Sequence, residues 1–356
     1  MNTIHPRPNP IIAAMYTLRD MNIDVIVIHG PAGCGFMAAR MLEEAGIRVV
    51  TSGMKENDLV FGGSESLINT LKAVKEKFDP KTVAVVGTCS SMIIGEDMEA
   101  IIFEANIGCN VFPVNCNGCM GDNTKGAIAA INAASAAGII SKAEAERQAN
   151  LLTAATLMER SVGMASKDYL SPTSGPTKFK VSKMIVEALK EGKKMAVVML
   201  AKKELAYRFA DIFLAVSEAQ KACGGSVFFV ANLDASKGLP RIRGYAVDIL
   251  SELAIKGVKI DIIIGGLDEY AIIGEEAQKA VESYQPDMSI LVGIPHAYPK
   301  PDKKDIMITD QPRQLTNYLN AGYDNAVGEI SSHSRVMGTH KIVPLETGDT
   351  IRELLL

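Results

Sequence analysis

The 356-residue chain contains no tryptophan and only 9 Tyr and 10 Phe. So sparse an aromatic complement argues against an antibody-like recognition surface or a platform that stacks single-stranded bases. There is no basic excess either: 37 Lys and Arg stand against 41 Asp and Glu, a net charge of −4. Non-specific nucleic-acid binders draw their affinity from neutralising phosphates, so that class is not expected. Six cysteines are too few and too clustered for a disulfide scaffold. No apolar run reaches the ~18–20 residues needed to cross a bilayer. The opening MNTIHPRPNPIIAAMYTLRD also lacks the charged-then-apolar pattern and cleavage site of a secretory leader. The expectation is a thiol-containing cytoplasmic protein with neither nucleic acid nor membrane as a partner.

Apolar residues at 47% suffice for large cores, and 22% charged residues are too ordinary for a disordered chain. A short β-branched run, a glycine-bearing turn and an amphipathic stretch recur along the sequence. Residues 24–28 (DVIVI) lead into a turn at 30–35 and a helix over 36–45. Residues 82–86 (TVAVV) lead into 87–91 and a helix from about 95 to 106; 109–114 lead into 115–122 and an Ala-rich helix near 125–137. Such alternation predicts βαβ units around a parallel sheet. A helical block at 141–166 precedes SPTSGPTK (171–178), which reads as a linker. Strands follow at 194–200, 226–230 and 260–264, separated by helices near 204–222 and 243–255. A third passage has strands at 288–292 and 305–309, a helix near 313–321 and the terminal KIVPLETGDTIRELLL. The whole reads as α/β, with two or three Rossmann-like subdomains divided at 1–170, 171–270 and 271–356.

Ligands of such sheets sit beyond the carboxyl ends of the strands, and several cysteines fall there. The first loop, His29-Gly30-Pro31-Ala32-Gly33-Cys34-Gly35-Phe36, is neither GxGxxG nor GxxxxGK[ST]. Its glycines would let backbone N–H groups approach whatever Cys34 binds, and a helix N-terminus favours the thiolate form. A buried cysteine filling a tight turn is the alternative. In the second loop, Val86-Gly87-Thr88-Cys89-Ser90-Ser91, Cys89 repeats that placement. Two cysteines in equivalent junctions could converge at one sheet edge, as half of a four-thiolate site. The third loop, running from Asn115 to Asn123, holds a CxxC at Cys116 and Cys119. That pair could be half a zinc site, a redox couple or two spectators, and no second CxxC or HxxxH completes a zinc site. Cys109 and Cys223 read as packing residues. Of His5, His29, His296, His333 and His340, only His296, in GIPHAYPKP, falls in a loop suited to line a pocket. No GxSxG elbow surrounds Ser90 and Ser91, so serine hydrolysis is not expected.

HGPAGCGF, KENDLVFGG (55–63), VGTCSSMIIGEDM and VNCNGCMGDN occur in the order of corresponding segments in the catalytic component of nitrogenase-like enzymes, and the chain resembles that family. The matches cover about residues 24–126. The chain departs from nitrogenase subunits in having no cysteine between Cys34 and Cys89. It also has no convincing counterpart of the residues holding an iron–molybdenum cofactor, and it is shorter. Among nitrogenase relatives it is most similar to the catalytic component of nickel-tetrapyrrole reductive cyclases.

The resemblance implies ATP-driven reduction of nickel-sirohydrochlorin a,c-diamide with closure of a lactam ring, in making the nickel coenzyme (factor 430) of methanogens. It implies as partner an iron-protein-like homodimer that hydrolyses ATP with Mg and delivers electrons; this chain has no Walker A lysine. It implies a 4Fe–4S cluster bridging a homodimer, with Cys34 and Cys89 of each subunit as ligands. Gly33, Gly35 and Ser90 would lie around the cluster, and Cys119 and Asn123 near a tetrapyrrole held between subdomains. Asp122 and His296 are candidate proton donors, although an Asp opening a helix also reads as a cap. Another nitrogenase-like reductase and a non-catalytic iron–sulfur scaffold remain as alternatives.

Overall fold

A computed structural model describes residues 9–158, 175–310, 312–329 and 338–356. His5, His333, and residues 159–166 and 171–174 of the expected helical block and linker lie outside the described residues. Ten strands are present among those described, all parallel to their neighbours. The chain divides into two compact units, one comprising mainly residues 4–156 and the other mainly 157–356.

The first unit holds a four-stranded sheet of order β2-β1-β3-β4, from β1 (Val25–His29), β2 (Arg48–Thr51), β3 (Thr82–Gly87) and β4 (Asn110–Val114). The central strand β1 is buried throughout, as expected for a β-branched run covered on both faces. Pro113 is tolerated because β4 is an edge strand, where a missing N–H interrupts no ladder. Around the sheet lie α1 (Pro10–Asp20), α2 (Phe36–Glu44), α3 (Glu56–Phe61), α4 (Ser64–Phe78), α5 (Cys89–Ile93), α6 (Met98–Ala105), α7 (Asn123–Ala136) and α8 (Lys142–Met158). Leu67, Leu71 and Val74 recur at helical spacing on α4 and pack on Val25, Val27, Val83 and Val85. Each such side chain contributes roughly 1.5–3 kcal/mol by leaving water.

Helix α1, capped by Asn9 through its 3.0 Å acceptance of the Ile12 N–H, is buried along its whole length. It packs on α7 at Gly126, where a Cβ would stand 1.9 Å from the Pro10 carbonyl oxygen. Gly126→Ala is therefore expected to force the two backbones apart and to lower unfolding free energy by about 3 kcal/mol. Urea unfolding of the variant with an unchanged midpoint would contradict this packing.

The second unit holds a six-stranded sheet of order β10-β9-β8-β5-β6-β7. Its strands are β5 (Lys194–Leu200), β6 (Ser226–Ala231), β7 (Ile262–Ile263), β8 (Met288–Gly293), β9 (Ile306–Thr309) and β10 (Ala326–Gly328). Segments 171–270 and 271–356 thus feed one sheet, because β5 pairs with β8 along Met195–Leu200. Its helices are α9 (Pro176–Lys190), α10 (Ala206–Cys223), α11 (Pro240–Ile255), α12 (Gly274–Tyr284), α13 (Pro312–Asn320) and α14 (Glu346–Glu353). Helix α9 begins inside the stretch expected to be a linker, since Pro176 at its first position needs no intrahelical N–H partner. Helix α14 docks through Arg352, which pairs with buried Asp211 at 2.6 Å. No helix among the described residues is long and apolar enough to cross a membrane.

Candidate functional site

The order of the first sheet puts a topological switch between β1 and β3: from β1 the chain goes outward to β2, then returns to the other side at β3. A crevice opens at such a point beyond the strand carboxyl ends. Cys34 lies in the loop after β1, and Cys89 opens α5 directly after β3. Both are half-buried, and each is near enough to the other for electrostatic interaction. Burial raises the Cys34 thiol pKa, and Cys89 pushes it further the same way.

Two close approaches bring the loops together. A Cβ on Gly30 would stand 2.3 Å from Thr88 Oγ1, so glycine there lets the first loop lie on Thr88, whose hydroxyl donates to the His29 carbonyl at 2.9 Å. The Gly118 N–H donates to Cys89 Sγ at 3.1 Å, and a Cβ on Gly118 would stand only 3.2 Å from that sulfur. The third loop, between β4 and α7, is thereby drawn against the second. Cys119, exposed, hydrogen-bonds to Cys89, which raises its thiol pKa. Cys116 is buried and pushed up to about 12 by burial, with a smaller contribution from Cys89. Both cysteines of the CxxC therefore neighbour Cys89, whereas Cys109 packs beside the apolar core of the sheet.

The remaining expected site residues are placed as follows. Gly35 adopts φ +80° as the cap of α2, and beside Gly33 there is open space. Ser90 is half-buried in the first turn of α5, while Ser91, its neighbour, accepts from the Thr88 N–H at 2.8 Å. Asp122 caps α7 by accepting from the Lys125 N–H at 3.3 Å, and Asn123 is the first residue of that helix. His296 lies in the second unit, in the 3₁₀ turn after β8, its ring 5.6 Å from that of Tyr270.

A buried pair behind the cysteine loops has no counterpart in the sequence reading. His29 Nδ1 meets Ser52 Oγ at 3.0 Å and its Nε2 meets Glu96 Oε2 at 3.3 Å, while Glu96 Oε1 accepts from the Gly63 N–H at 2.6 Å. The imidazole is fully buried, and burial lowers its pKa despite the opposing carboxylate. The pair ties the end of β1 to the segment following Cys89. Its members are 67 residues apart, and the only sequence signals were a histidine ending a strand and an acid in the GED triplet.

Burial lowers the His296 pKa to about 4, with Lys202 adding to the effect. At neutral pH it is an imidazole with one N–H and one lone pair. Because its folded value lies below the unfolded 6.5, the unfolded chain takes up the proton first, and stability is lost as pH falls from 6.5 toward 4. Between pH 7 and 4.5 the chain is expected to lose about 2–3 kcal/mol more unfolding free energy than His296→Gln. Parallel stability–pH curves for the two proteins would remove that assignment.

Large apolar side chains next to the cysteines face solvent. Phe36 and Met37 follow Cys34 and are 63% and 64% exposed; Ile93, four residues after Cys89, is 82% exposed. Val60 and Phe61 on α3 are exposed as well. No group of three or more His, Cys, Asp or Glu side chains among the described residues is arranged to hold a metal ion.

Residues 10–172 match the nitrogenase component 1 type oxidoreductase family. Over 99% of its length the chain is 46% identical to the Ni-sirohydrochlorin a,c-diamide reductive cyclase complex component CfbD of Methanosarcina acetivorans, covering 98% of that protein. It is 42% identical to the CfbD component of Methanothermobacter thermautotrophicus and 40% identical to that of Methanocaldococcus jannaschii, in each case over 98% of both chains.

Proposed function

The chain belongs to the family of CfbD components of Ni-sirohydrochlorin a,c-diamide reductive cyclase complexes, and on that premise we propose that it is the catalytic component of such a cyclase. It takes nickel-sirohydrochlorin a,c-diamide, reduces the macrocycle and closes a lactam ring, as a step toward the nickel tetrapyrrole coenzyme of methanogens. A separate iron-protein-like homodimer hydrolyses ATP with Mg and supplies the electrons.

The observation that carries this reading is the placement of Cys34 and Cys89 after adjacent strands at the switch point of the first sheet, within electrostatic reach of each other. The donor set fits an iron–sulfur cluster. Soft thiolates are the ligands such clusters take, and the Gly118 N–H directed at Cys89 Sγ is the kind of hydrogen bond that tunes a cluster's potential. Two thiolates per chain would make up the usual four with the pair of a second copy, so the active form would be a homodimer holding a shared 4Fe–4S cluster. Exposed Phe36, Met37 and Ile93 flank the cysteines and supply the apolar surface that such an interface covers. Bound there, the cluster would supply one-electron transfer.

The chain's own residues have narrower tasks. The backbone around Gly33 and Gly35, together with Ser90, surrounds the thiolates. Asp122, as the cap of α7, holds the loop carrying Cys119 against the helix that Asn123 opens. The His29–Glu96 pair keeps the two cysteine loops in register. Anaerobic incubation with the reductase, ATP and nickel-sirohydrochlorin a,c-diamide is expected to change the tetrapyrrole absorption spectrum, with no change when ATP or the reductase is omitted. An unchanged spectrum with an active reductase would overturn the assignment.

A further inference from the structure

The second sheet has a switch point of its own. From β5 the chain runs outward through β6 to β7; it then returns to the other side of β5 and continues through β8 and β9 to β10. The crevice therefore lies beyond the carboxyl ends of β5 and β8. The two ends are joined by the Ile294 N–H donating to the Leu200 carbonyl at 2.9 Å. Nothing in the chemistry assigned to the cysteines uses this place, yet polar groups collect there.

From the β5 side come Lys202 and Lys203, with side chains only 18% and 12% exposed. Lys203 forms a 2.7 Å ion pair with Glu269, while Lys202 stands 3.9 Å from the same carboxylate, too far for a hydrogen bond. Lys203 has φ +43°, a left-handed conformation uncommon for a residue with a side chain. From the β8 side comes His296, within electrostatic reach of Lys202, and neither of its buried ring nitrogens has a partner among the described residues. Tyr318, 7% exposed on α13, lies against the His296 backbone, and its hydroxyl hydrogen has no acceptor among the described residues. One turn earlier on the same helix face, Gln314 is 1% exposed and its amide nitrogen is also unpartnered. Helix α13 starts just after β9, so Gln314 is nearer than Tyr318 to the carboxyl edge of the sheet.

Buried donors are rarely left unsatisfied, and each costs free energy while it is. An ammonium group, an imidazole N–H, a phenol and an amide at one crevice match an oxyanion, and a carboxylate meets that requirement by accepting several hydrogen bonds and carrying the opposite charge. We propose that Lys202, His296, Gln314 and Tyr318 form a carboxylate-binding site at the switch point of the six-stranded sheet, and that it takes a carboxylate arm of the tetrapyrrole substrate. This rests on the cyclase reading for the identity of the ligand; the carboxylate chemistry itself follows from the side chains. A free small carboxylate is the other source of that chemistry.

The test is an anaerobic absorption titration of the full-length, iron-loaded protein with nickel-sirohydrochlorin a,c-diamide, in parallel with its fully esterified analogue. Lys202→Gln is expected to weaken binding of the free acid about tenfold, and Tyr318→Phe several-fold, while neither changes affinity for the ester. Iron content and the thermal unfolding curve should stay at the wild-type values, which separates a lost contact from a damaged fold. Equal weakening toward acid and ester, or no weakening in either variant, would overturn the site's role in binding the macrocycle while leaving the cyclase reading intact. A wild-type protein that binds neither macrocycle would overturn both. Stoichiometric succinate binding that Lys202→Gln abolishes, with macrocycle binding that it leaves unchanged, would assign the site to a free carboxylate and overturn its place in substrate binding.

Discussion

Replacing Cys89 by alanine is expected to abolish the iron–sulfur absorption and bring bound iron close to zero, with cyclase turnover lost in parallel. Cys34→Ala should do the same. In a homodimer each substitution removes two of four ligands at once. The loss should exceed the roughly 10–100-fold that deleting a residue behind a metal ligand costs. The neighbouring thiol provides the control. Cys119 hydrogen-bonds to Cys89 but is exposed, so Cys119→Ala should keep its iron and change the reduction potential. The fold should survive all three changes, because neither Cys34, Cys89 nor Cys119 belongs to the fully buried core. Iron analysis and circular dichroism on the same preparations decide the matter. Full iron content in both Cys34→Ala and Cys89→Ala would refute the ligand assignment.

The second large effect concerns the surface around those cysteines. If the proposed homodimer shares a cluster, Ile93→Glu should convert it to a monomer and release the cluster as it does so. Ile93 is 82% exposed in the single chain and lies four residues beyond Cys89, within the surface that a shared cluster would bring into contact. An unpaired charge buried at an interface costs about 3–5 kcal/mol, and two-fold symmetry introduces two of them. The dissociation constant should therefore rise by on the order of 10⁴-fold or more. Light scattering coupled to size exclusion reports the mass, and iron analysis of the same fractions reports the cluster. A monomer that retains its iron would sink the shared-cluster arrangement, since a single chain would then be supplying a complete ligand set.

Much of the first unit could be read from local pattern. The strands at 25–29 and 82–87 and the helices after them follow from β-branched runs broken by glycine. Cys34 and Cys89 followed from the same reading, because a cysteine just past such a strand must lie at a sheet's carboxyl edge. Residues 48–51 were harder: β2 is an edge strand, partly exposed, without a continuous apolar run. The division of the second half was not legible for another reason. Pairing of β5 with β8 joins residues more than ninety positions apart, and periodicity carries no information about such a partner.

By itself, the sequence determined which residues sit at strand ends, since that depends on local alternation and turn chemistry. It also carried the order of motifs that identifies the family. Strand order came only with the tertiary structure. The order decided that β1 and β3 are neighbours, so that Cys34 and Cys89 lie at one switch point, and that β5 and β8 are neighbours, so that Lys202 comes within electrostatic reach of His296. It also decided that His29 is held by Glu96 across 67 residues. These are non-local hydrogen bonds and packing contacts, whose free energy depends on which surfaces meet after the chain has folded.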